Sequence, residues 1–384
     1  MASPTTLFNN LVREEENCYI DAVSKAYLWM EVVFGLNRLV LSLKMKPIFI
    51  LMASAYSIFC CAIVFYEVFF FFYSMFTDHL DLGLDSIHYL LGVVLSSIVW
   101  KRFQHYYLKL QHFDTTIGCR PKLSSSSVKN LILMCTAVSL SILTVPYSWY
   151  VADKLVDSLM LLPVRVLFLI ETHFYGHLLS LLVPRLRLIN YYMKISLSHH
   201  NKVVAPKIDE LTFKSVILES QNCQMKKLMD LYCMIINAYD ILIDAIKWQF
   251  VMVLTALFIS ILSFSYSTAL TVIRSERPFY NVAIESAFHC VRLFPLFAPC
   301  VFADQIQEEV RRLRELLASR LYENKLNKPG RSVARALLSL TEARDLSFSL
   351  LQIFDIDISL PFKFMGLLLT YLIILLQFEK VINP

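Results

Sequence analysis

The chain has 384 residues, of which 57% are hydrophobic and only 17% are charged. Its mean hydropathy is +0.56, whereas soluble domains are about 45–50% apolar and about 25% charged. This composition excludes an ordinary soluble globule and predicts an all-α, polytopic membrane protein. With only 7 glycines, the chain is also a poor candidate for the Gly-rich phosphate loops of nucleotide-binding enzymes.

The first 46 residues are predicted to be a cytosolic segment. They are polar and acidic at positions 9–16, so no cleavable signal peptide is visible and an internal span must lead insertion. The nine cysteines all fall in predicted spans or on the predicted cytosolic side, where disulfides are rare. We therefore expect no disulfide, and no metal or cofactor site is predicted.

Seven apolar stretches follow, and a helix that crosses a membrane needs about 20 mainly apolar residues. The predicted spans are 47–66 (with a Phe-rich continuation over 68–76), 86–100, 130–152, 158–184, 248–273, 278–303 and 364–378.

Lysine and arginine are concentrated in alternate loops, which marks the cytosolic side of a membrane protein. Thirty of the 36 lie in segments 1–46, 101–129, 185–247 and 304–363, and only four lie in the other loops and the tail. This asymmetry predicts an odd number of spans, with a cytosolic N-terminus and an extracellular C-terminus.

Two predicted cytosolic segments are long enough to fold, 186–247 and 304–363. In 304–325, Val310, Leu313, Leu317 and Leu321 recur at helical spacing, and such a stripe packs more often within its own chain than against another subunit. The Pro329–Gly330 pair is predicted to end this helix, and a further helix, 332–354, leads toward the last span. The predicted divisions are 1–46, 47–273 (including 186–247), span six at 274–303, anchor helices at 304–363, and the last span with its tail at 364–384.

Enzyme motifs are absent. The sequence contains no HExxH, GxSxG, GxGxxG or phosphate-binding loop, so we predict that the protein is not an enzyme, and we expect no nucleic-acid partner.

Several ionisable residues lie inside predicted spans, where they are costly and often functional. In the fourth span Glu171 and Tyr175 share a face, with His173 beside it; in the sixth, Glu285 and His289 share a face with Arg292. A structural ion pair and a polar ligand cavity explain these residues about equally well, and an interfacial belt explains Tyr147 and Trp149 better than a binding site does. The candidate ligand-binding residues are Glu171, His173, Tyr175, Glu285, His289, Tyr147 and Trp149.

The last span carries the most specific pattern. Thr370, Ile374 and Gln377 lie at i, i+4 and i+7, with Ile373 beside them. One hydroxyl, bulky aliphatic residues and one amide on a single face suit a pore wall with a hydrophobic constriction. A buried helix with an interhelical amide bond is the alternative, and the residues alone slightly favour it.

At this motif the chain resembles the insect gustatory receptors, whose last span carries Thr-Tyr, five apolar residues and Gln-Phe. Residues 370–378 match this signature without departure, and the predicted topology agrees with it. The resemblance implies a ligand-gated, non-selective cation channel in the plasma membrane of sensory dendrites, embedded in the lipid bilayer as a homo- or heterotetramer and opened by a small-molecule tastant. A bitter compound or plant metabolite is the guess for that ligand.

The resemblance also implies that the seventh helices line one central pore and that cytosolic helices form a central anchor. On this view, the 310–321 stripe lies between subunits and not within the chain. The implied pore and gate residues are Thr370, Tyr371, Ile373, Ile374, Gln377 and Phe378.

Two other functional classes remain as alternatives. A G-protein-coupled receptor would need its N-terminus outside, against the distribution of basic residues. A secondary transporter usually shows internal repeats, and this sequence shows none.

Overall fold

Apolar runs of this length can satisfy their backbone polar groups within a membrane by forming helices, and helix dominates the computed structural model of the chain. The structure describes residues 20–36, 47–75, 80–118, 125–150, 155–196, 221–274, 293–323, 326, 328–350 and 354–382.

The described residues form ten α-helices and one small hairpin. The helices are α1 (Ala22–Val33), α2 (Pro47–Met75), α3 (Leu80–Ile117), α4 (Ser125–Tyr150), α5 (Leu155–Ser180), α6 (Val183–Ser196), α7 (Gln221–Arg274), α8 (Phe297–Tyr322), α9 (Lys328–Ala343) and α10 (Leu360–Ile382). A 3₁₀ turn, Phe294–Leu296, precedes α8, and strands β1 (Ser349–Leu350) and β2 (Phe354–Asp355) pair antiparallel.

Four helical segments of the described chain are long and apolar enough to cross a membrane: Ile48–Tyr66, Val166–Lys194, Met225–Leu270 and Leu360–Phe378. They coincide with or extend the first, fourth, fifth and seventh predicted spans. The third predicted span contributes a shorter apolar helix, Val128–Ile142. The second lies inside α3, and most of the sixth lies outside the described residues.

Helix α5 is the most enclosed element. Every side chain described between positions 166 and 180 is buried, including those of Glu171, His173 and His177. Helices α1, α3, α4 and α8 pack around it. The candidate polar residues of the fourth span therefore lie in the protein interior and not at its surface.

Helix α1 docks on α5 at its start. Asp21 caps α1 by accepting hydrogen bonds from the backbone N–H groups of Val23 and Ser24, each at 3.1 Å. The Ser24 hydroxyl lies 2.8 Å from Nε2 of His177, and the His177 ring stacks on Tyr27 at 5.1 Å.

The other end of α1 is held by hydroxyl groups of α2 and α3. The Val33 carbonyl accepts a hydrogen bond from Tyr56 at 2.7 Å, the next carbonyl accepts one from Tyr89 at 2.9 Å, and the Gly35 carbonyl accepts one from Ser57. Gly35 has φ +89°, and a Cβ there would lie 2.5 Å from the Tyr89 hydroxyl. Glycine is required here because only it accepts both this backbone conformation and this approach.

Two details of the predicted 304–363 segment are wrong. The Pro329–Gly330 pair does not end a helix; it lies in the first turn of α9, where the missing proline N–H costs no hydrogen bond. The helix predicted over 332–354 ends at Ala343 and is followed by the hairpin. Arg314 of α8 donates to the Thr341 carbonyl and pairs with Asp345 at 2.9 Å, which satisfies a last-turn carbonyl of α9.

The stripe on α8 packs within the chain. Val310, Leu313 and Leu317 are fully buried, and Leu321 is half-buried against the same core. The intersubunit position that the resemblance implied for this stripe is wrong, because its side chains are already covered within the single chain. The expectation drawn from the residues alone, that the stripe packs within its own chain, is confirmed.

Candidate functional site

Helix α10 buries only a narrow stripe of its surface. Phe364 and Leu368 are buried, and Leu372 and Leu375 continue the same line half-buried. The spacing of three and four residues places this stripe on one helix face, which packs against α7.

The residues predicted to line a pore lie on the opposite face. At about 100° per residue, Thr370, Ile373, Ile374 and Gln377 are about 120–180° around the axis from Leu368. All four are exposed in the single chain, with Ile373 at 47% and Ile374 at 40%. Thr370, Ile374 and Gln377 therefore share one free face, as their spacing predicted.

The other two residues of the predicted pore set lie elsewhere on α10. The Tyr371 ring meets Phe258 of α7 edge to face, with centroids 5.7 Å apart. Phe258 also meets Phe364 edge to face at 5.6 Å, so one ring of α7 contacts two rings of α10. Phe378 is 61% exposed and lies on the same flank as Tyr371.

The start of α10 is fixed by Asp357. Its Oδ1 accepts hydrogen bonds from the backbone N–H of Ser359 at 3.1 Å and from its hydroxyl at 2.6 Å, while Nζ of Lys363 lies 3.6 Å from Oδ2. Burial is the largest single influence and acts to raise the pKa of Asp357, but the Ser359 hydrogen bonds and the Lys363 ammonium together outweigh it and lower that pKa. The ionised carboxylate thus stabilises the fold at neutral pH, and this contribution is lost as the pH falls through the lowered pKa.

Glu171 is paired with a histidine of α3. Its Oε2 lies 3.7 Å from Nε2 of His88, and the two side chains are 1% and 5% exposed. Gly92 lies one turn along α3 and faces the same carboxylate, because a Cβ there would lie 3.9 Å from Oε1 of Glu171. The His88 and Phe168 rings also meet edge to face, with centroids 6.2 Å apart.

His173 faces α4. Its Nδ1 lies 2.9 Å from the Leu169 carbonyl, so Nδ1 carries the proton and Nε2 is a hydrogen-bond acceptor. Nε2 is buried and has no hydrogen-bond partner among the described residues. Asn130 of α4 donates to the His173 carbonyl at 3.2 Å and to the Tyr27 hydroxyl at 3.1 Å.

Tyr175 links α5 to α7. Its hydroxyl donates to Oε1 of Gln249 at 3.0 Å, and both side chains are buried. Glu171 and Tyr175, which the sequence placed on one helix face, thus contact different helices. Glu171 contacts α3, and Tyr175, one turn further along α5, contacts α7. Together His88, Glu171, Tyr175 and Gln249 form a buried polar row where α3, α5 and α7 meet.

A family profile described as 7tm Chemosensory receptor matches residues 28–382, nearly the whole chain. The chain belongs to the 7tm chemosensory receptor family. A comparison with curated protein sequences gives no match.

Solved structures show the same fold as this receptor. The insect olfactory receptor OR5 from Machilis hrabei in complex with eugenol aligns with a TM-score of 0.63 and 13% identity, covering 92% of this chain and 97% of that one. A second structure of OR5 from Machilis hrabei aligns with a TM-score of 0.56 and 13% identity, covering 85% and 89% of the two chains. At this identity the likeness concerns the fold alone.

Four of the predicted ligand-binding residues of the receptor cannot be placed. Glu285 and His289 lie outside the described residues, as does Arg292, the predicted partner of Glu285. Tyr147 and Trp149 belong to the last turns of α4, but their side chains lie outside the described part.

His88 was missing from the predicted set. The signal that could have found it is its position as an ionisable residue inside a predicted span. Among the described residues, no three His, Cys, Asp or Glu side chains are grouped as metal ligands. Cys60, Cys61, Cys135, Cys233 and Cys300 are free thiols.

The buried row can accept and donate hydrogen bonds to a small molecule within an otherwise apolar interior, which is the usual composition of a ligand site. The free face of α10 can present the same residues repeatedly if several copies of the receptor meet there. These are two separate capacities, and α7 contacts both regions through Gln249 and Phe258.

Proposed function

We propose that this receptor is a ligand-gated, non-selective cation channel for taste, with four subunits around a pore lined by α10. The observation that carries the proposal is the free face of α10, on which Thr370, Ile374 and Gln377 point away from the receptor's own bundle. The 370–378 signature of insect gustatory receptors supports it independently.

In a fourfold assembly each residue on this face becomes a ring of four. A ring of Ile374 would form a narrow apolar collar that resists wetting and closes the pore. A ring of Gln377 would present neutral amide oxygens, which favour cations weakly and distinguish poorly between them. The outer acidic residues, such as Asp78 and Asp81, would raise the local cation concentration at the mouth.

The proposed topology has seven spans, a cytosolic N-terminus and an extracellular C-terminus in the plasma membrane, with residues 304–363 on the cytosolic side. The uneven distribution of basic residues supports it. An epitope tag at the N-terminus should be stained only after permeabilisation, and one at the C-terminus on intact cells. Two termini on the same side would exclude seven spans.

The ligand is proposed to bind at the buried polar row, which contains Glu171 and Tyr175, with His173 nearby. Glu285 and His289 of span six are proposed to contribute to the same site. The acceptor Nε2 of His173 and the carboxylate of Glu171 favour a ligand with a hydroxyl or amine donor. Eugenol, a phenol bound by the olfactory receptor of similar fold, is therefore the first probe, followed by plant phenols and alkaloids. A bitter or plant-derived ligand is part of this proposal.

The decisive experiment is cysteine accessibility on α10. Ile374→Cys and Gln377→Cys are expressed separately, and whole-cell cation current is followed while a permeant methanethiosulfonate is applied with and without eugenol. Modification that blocks the current supports the pore. Leu368→Cys, on the packed face, is the matched control and should react slowly or not at all.

Failure of both introduced thiols to react in either condition would exclude α10 as the pore wall. A current that vanishes when G-protein signalling is blocked would instead favour a G-protein-coupled receptor. Electrogenic uptake of the probe without channel current would favour a transporter, the class to which the charges of Glu171, Glu285 and Arg292 inside the predicted spans would also be suited.

A further inference from the structure

The long central helix breaks between α5 and α6 for a reason that the sequence contains. Pro184 has no N–H, so the Ser180 carbonyl cannot receive its usual helical hydrogen bond. The chain makes tighter bonds instead, from Leu182 N–H to the Leu179 carbonyl and from Arg185 N–H to the Leu182 carbonyl, each at 3.1 Å. The break therefore leaves the carbonyls of residues 178 and 181 without their usual i+4 donors.

Helix α3 supplies the replacement donor for one of these carbonyls and positions the residue that supplies the other. The buried Tyr106 hydroxyl donates to the Leu178 carbonyl at 2.7 Å. Asp114, two turns further along α3, accepts hydrogen bonds from Nε and Nη2 of Arg185 at 2.9 and 2.6 Å, and Nη1 of Arg185 donates to the Leu181 carbonyl. Tyr106, Asp114 and Arg185 are called the α3 clasp below.

Helix α8 contacts the chain both before and after the break. Gly176 lies so close to α8 that a Cβ would stand 3.0 Å from the Ala298 Cβ and 3.1 Å from the Pro299 nitrogen. Beyond the break, Glu309 of α8, only 4% exposed, accepts hydrogen bonds from Arg187 and Asn190 of α6 at 3.0 Å. The break is thus held by α3 through the clasp. Helix α8 contacts α5 at Gly176 before the break and α6 at Arg187 and Asn190 after it.

The first turn of α8 reaches α10. Phe297, which precedes Ala298, meets Phe362 of α10 edge to face with centroids 6.1 Å apart. A shift of α5 at Gly176 therefore has a contact route through α8 to the start of α10. A proline break without the clasp would absorb such a shift by bending.

We propose that Tyr106, Asp114 and Arg185 are positioning residues for gating, which fix the angle of the α5–α6 break so that movement of α5 reaches α8 and α10. This inference rests on the proposed channel function. The clasp stabilises the arrangement of α5, α6 and α8 described above. Its loss shifts the equilibrium between gate states by the net free energy of one or two hydrogen bonds.

The test follows the gate directly and requires no known agonist. In an Ile374→Cys background, the rate at which a methanethiosulfonate reagent modifies the current is measured for Tyr106→Phe and Asp114→Asn. Tyr106→Phe should change the rate by about twofold to twelvefold, the range that one net neutral hydrogen bond gives in an equilibrium constant. Asp114→Asn weakens a charge-assisted pair and should change it by about twelvefold or more. The matched control is Tyr232→Phe, which removes a buried hydroxyl without a hydrogen-bond partner among the described residues, and its rate should stay unchanged.

Thermal unfolding of the detergent-solubilised protein separates positioning from plain stability. A lowered melting temperature with an unchanged modification rate would make the clasp structural only and overturn the inference. Gly176→Ala, which pushes α5 away from α8, should also change the rate while leaving the clasp intact. If the introduced thiols at positions 374 and 377 never react in any variant, the proposed pore itself fails, which is distinct from failure of the clasp.

Discussion

The contact between Phe258 and α10 gives the sharpest prediction, because one ring holds two partners. Phe258 meets Phe364 at 5.6 Å and 84° and meets Tyr371 at 5.7 Å and 88°. An edge-to-face aromatic pair contributes about 0.5–1.5 kcal/mol beyond its buried area. Phe258→Leu keeps an apolar side chain but loses both pairs, so it should cost about 1–3 kcal/mol, roughly a 5- to 150-fold change in the preference for this orientation of α10.

The assay measures the orientation through accessibility. In an Ile374→Cys background, Phe258→Leu should change the methanethiosulfonate modification rate and the basal current, since the free face of α10 is no longer held in one direction. Tyr371→Phe keeps its ring and should behave like the parent, whereas Tyr371→Ala loses one of the two pairs and should show about half the free-energy effect. Phe59→Leu is the control, because Phe59 is 61% exposed on α2.

Equal modification rates for Phe258→Leu and Phe59→Leu would refute this reasoning. They would mean that other contacts of α10 set its rotation, such as that between Phe297 and Phe362. A loss of surface expression in Phe258→Leu alone would be resolved with Phe258→Tyr, which retains both ring contacts and should restore expression and the parental rate.

Three further predictions concern the collar, the buried acid and the start of α10. Ile374→Ser should raise basal current by hydrating the proposed collar; an unchanged basal current at equal surface expression contradicts the collar. Glu171→Gln should change the eugenol concentration for half-maximal current while expression persists; lost expression with unchanged potency would instead indicate a structural pair with His88. Asp357→Ala should lower thermal stability by about 0.5–1.5 kcal/mol, the net contribution of a hydrogen bond, through loss of the turn that precedes α10, measured by unfolding in detergent. A melting temperature equal to that of the parent would show that this turn contributes nothing.

The faces of single helices were predictable from the sequence. Residues 370, 374 and 377 share a free face of α10 because side-chain direction within a helix follows from spacing alone. The enclosure of Glu171 and His173 was predictable in the same way, since ionisable residues in an apolar span avoid lipid. That these residues bind a ligand or line a pore remains a prediction.

The partners across helices were not predictable. Tyr175 and Gln249 are 74 residues apart in the chain, and hydrophobic periodicity does not encode the axial offset between two helices. The same holds for His88 and Glu171. The end of α9 at Ala343 was missed because it depends on Arg314, a residue of the preceding helix that satisfies the Thr341 carbonyl.

The chemistry of the free face of α10 argues against exposure to lipid alone. Its aliphatic and aromatic residues could face acyl chains, but Gln377 is exposed and forms no hydrogen bond with another described residue. Transfer of an unpaired amide into an apolar medium costs roughly 2–7 kcal/mol, and the Thr370 hydroxyl avoids a similar cost by donating to the Gly366 carbonyl of its own helix at 2.9 Å. A face that satisfies its hydroxyl internally but leaves its amide free suits water better than lipid. In a membrane-crossing helix, a water-lined face requires other helices to enclose it. Among the described helices, α7 packs on α10, and it lies on the other side from this face. Further copies of the receptor, or related subunits, are therefore the simplest way to complete the enclosure.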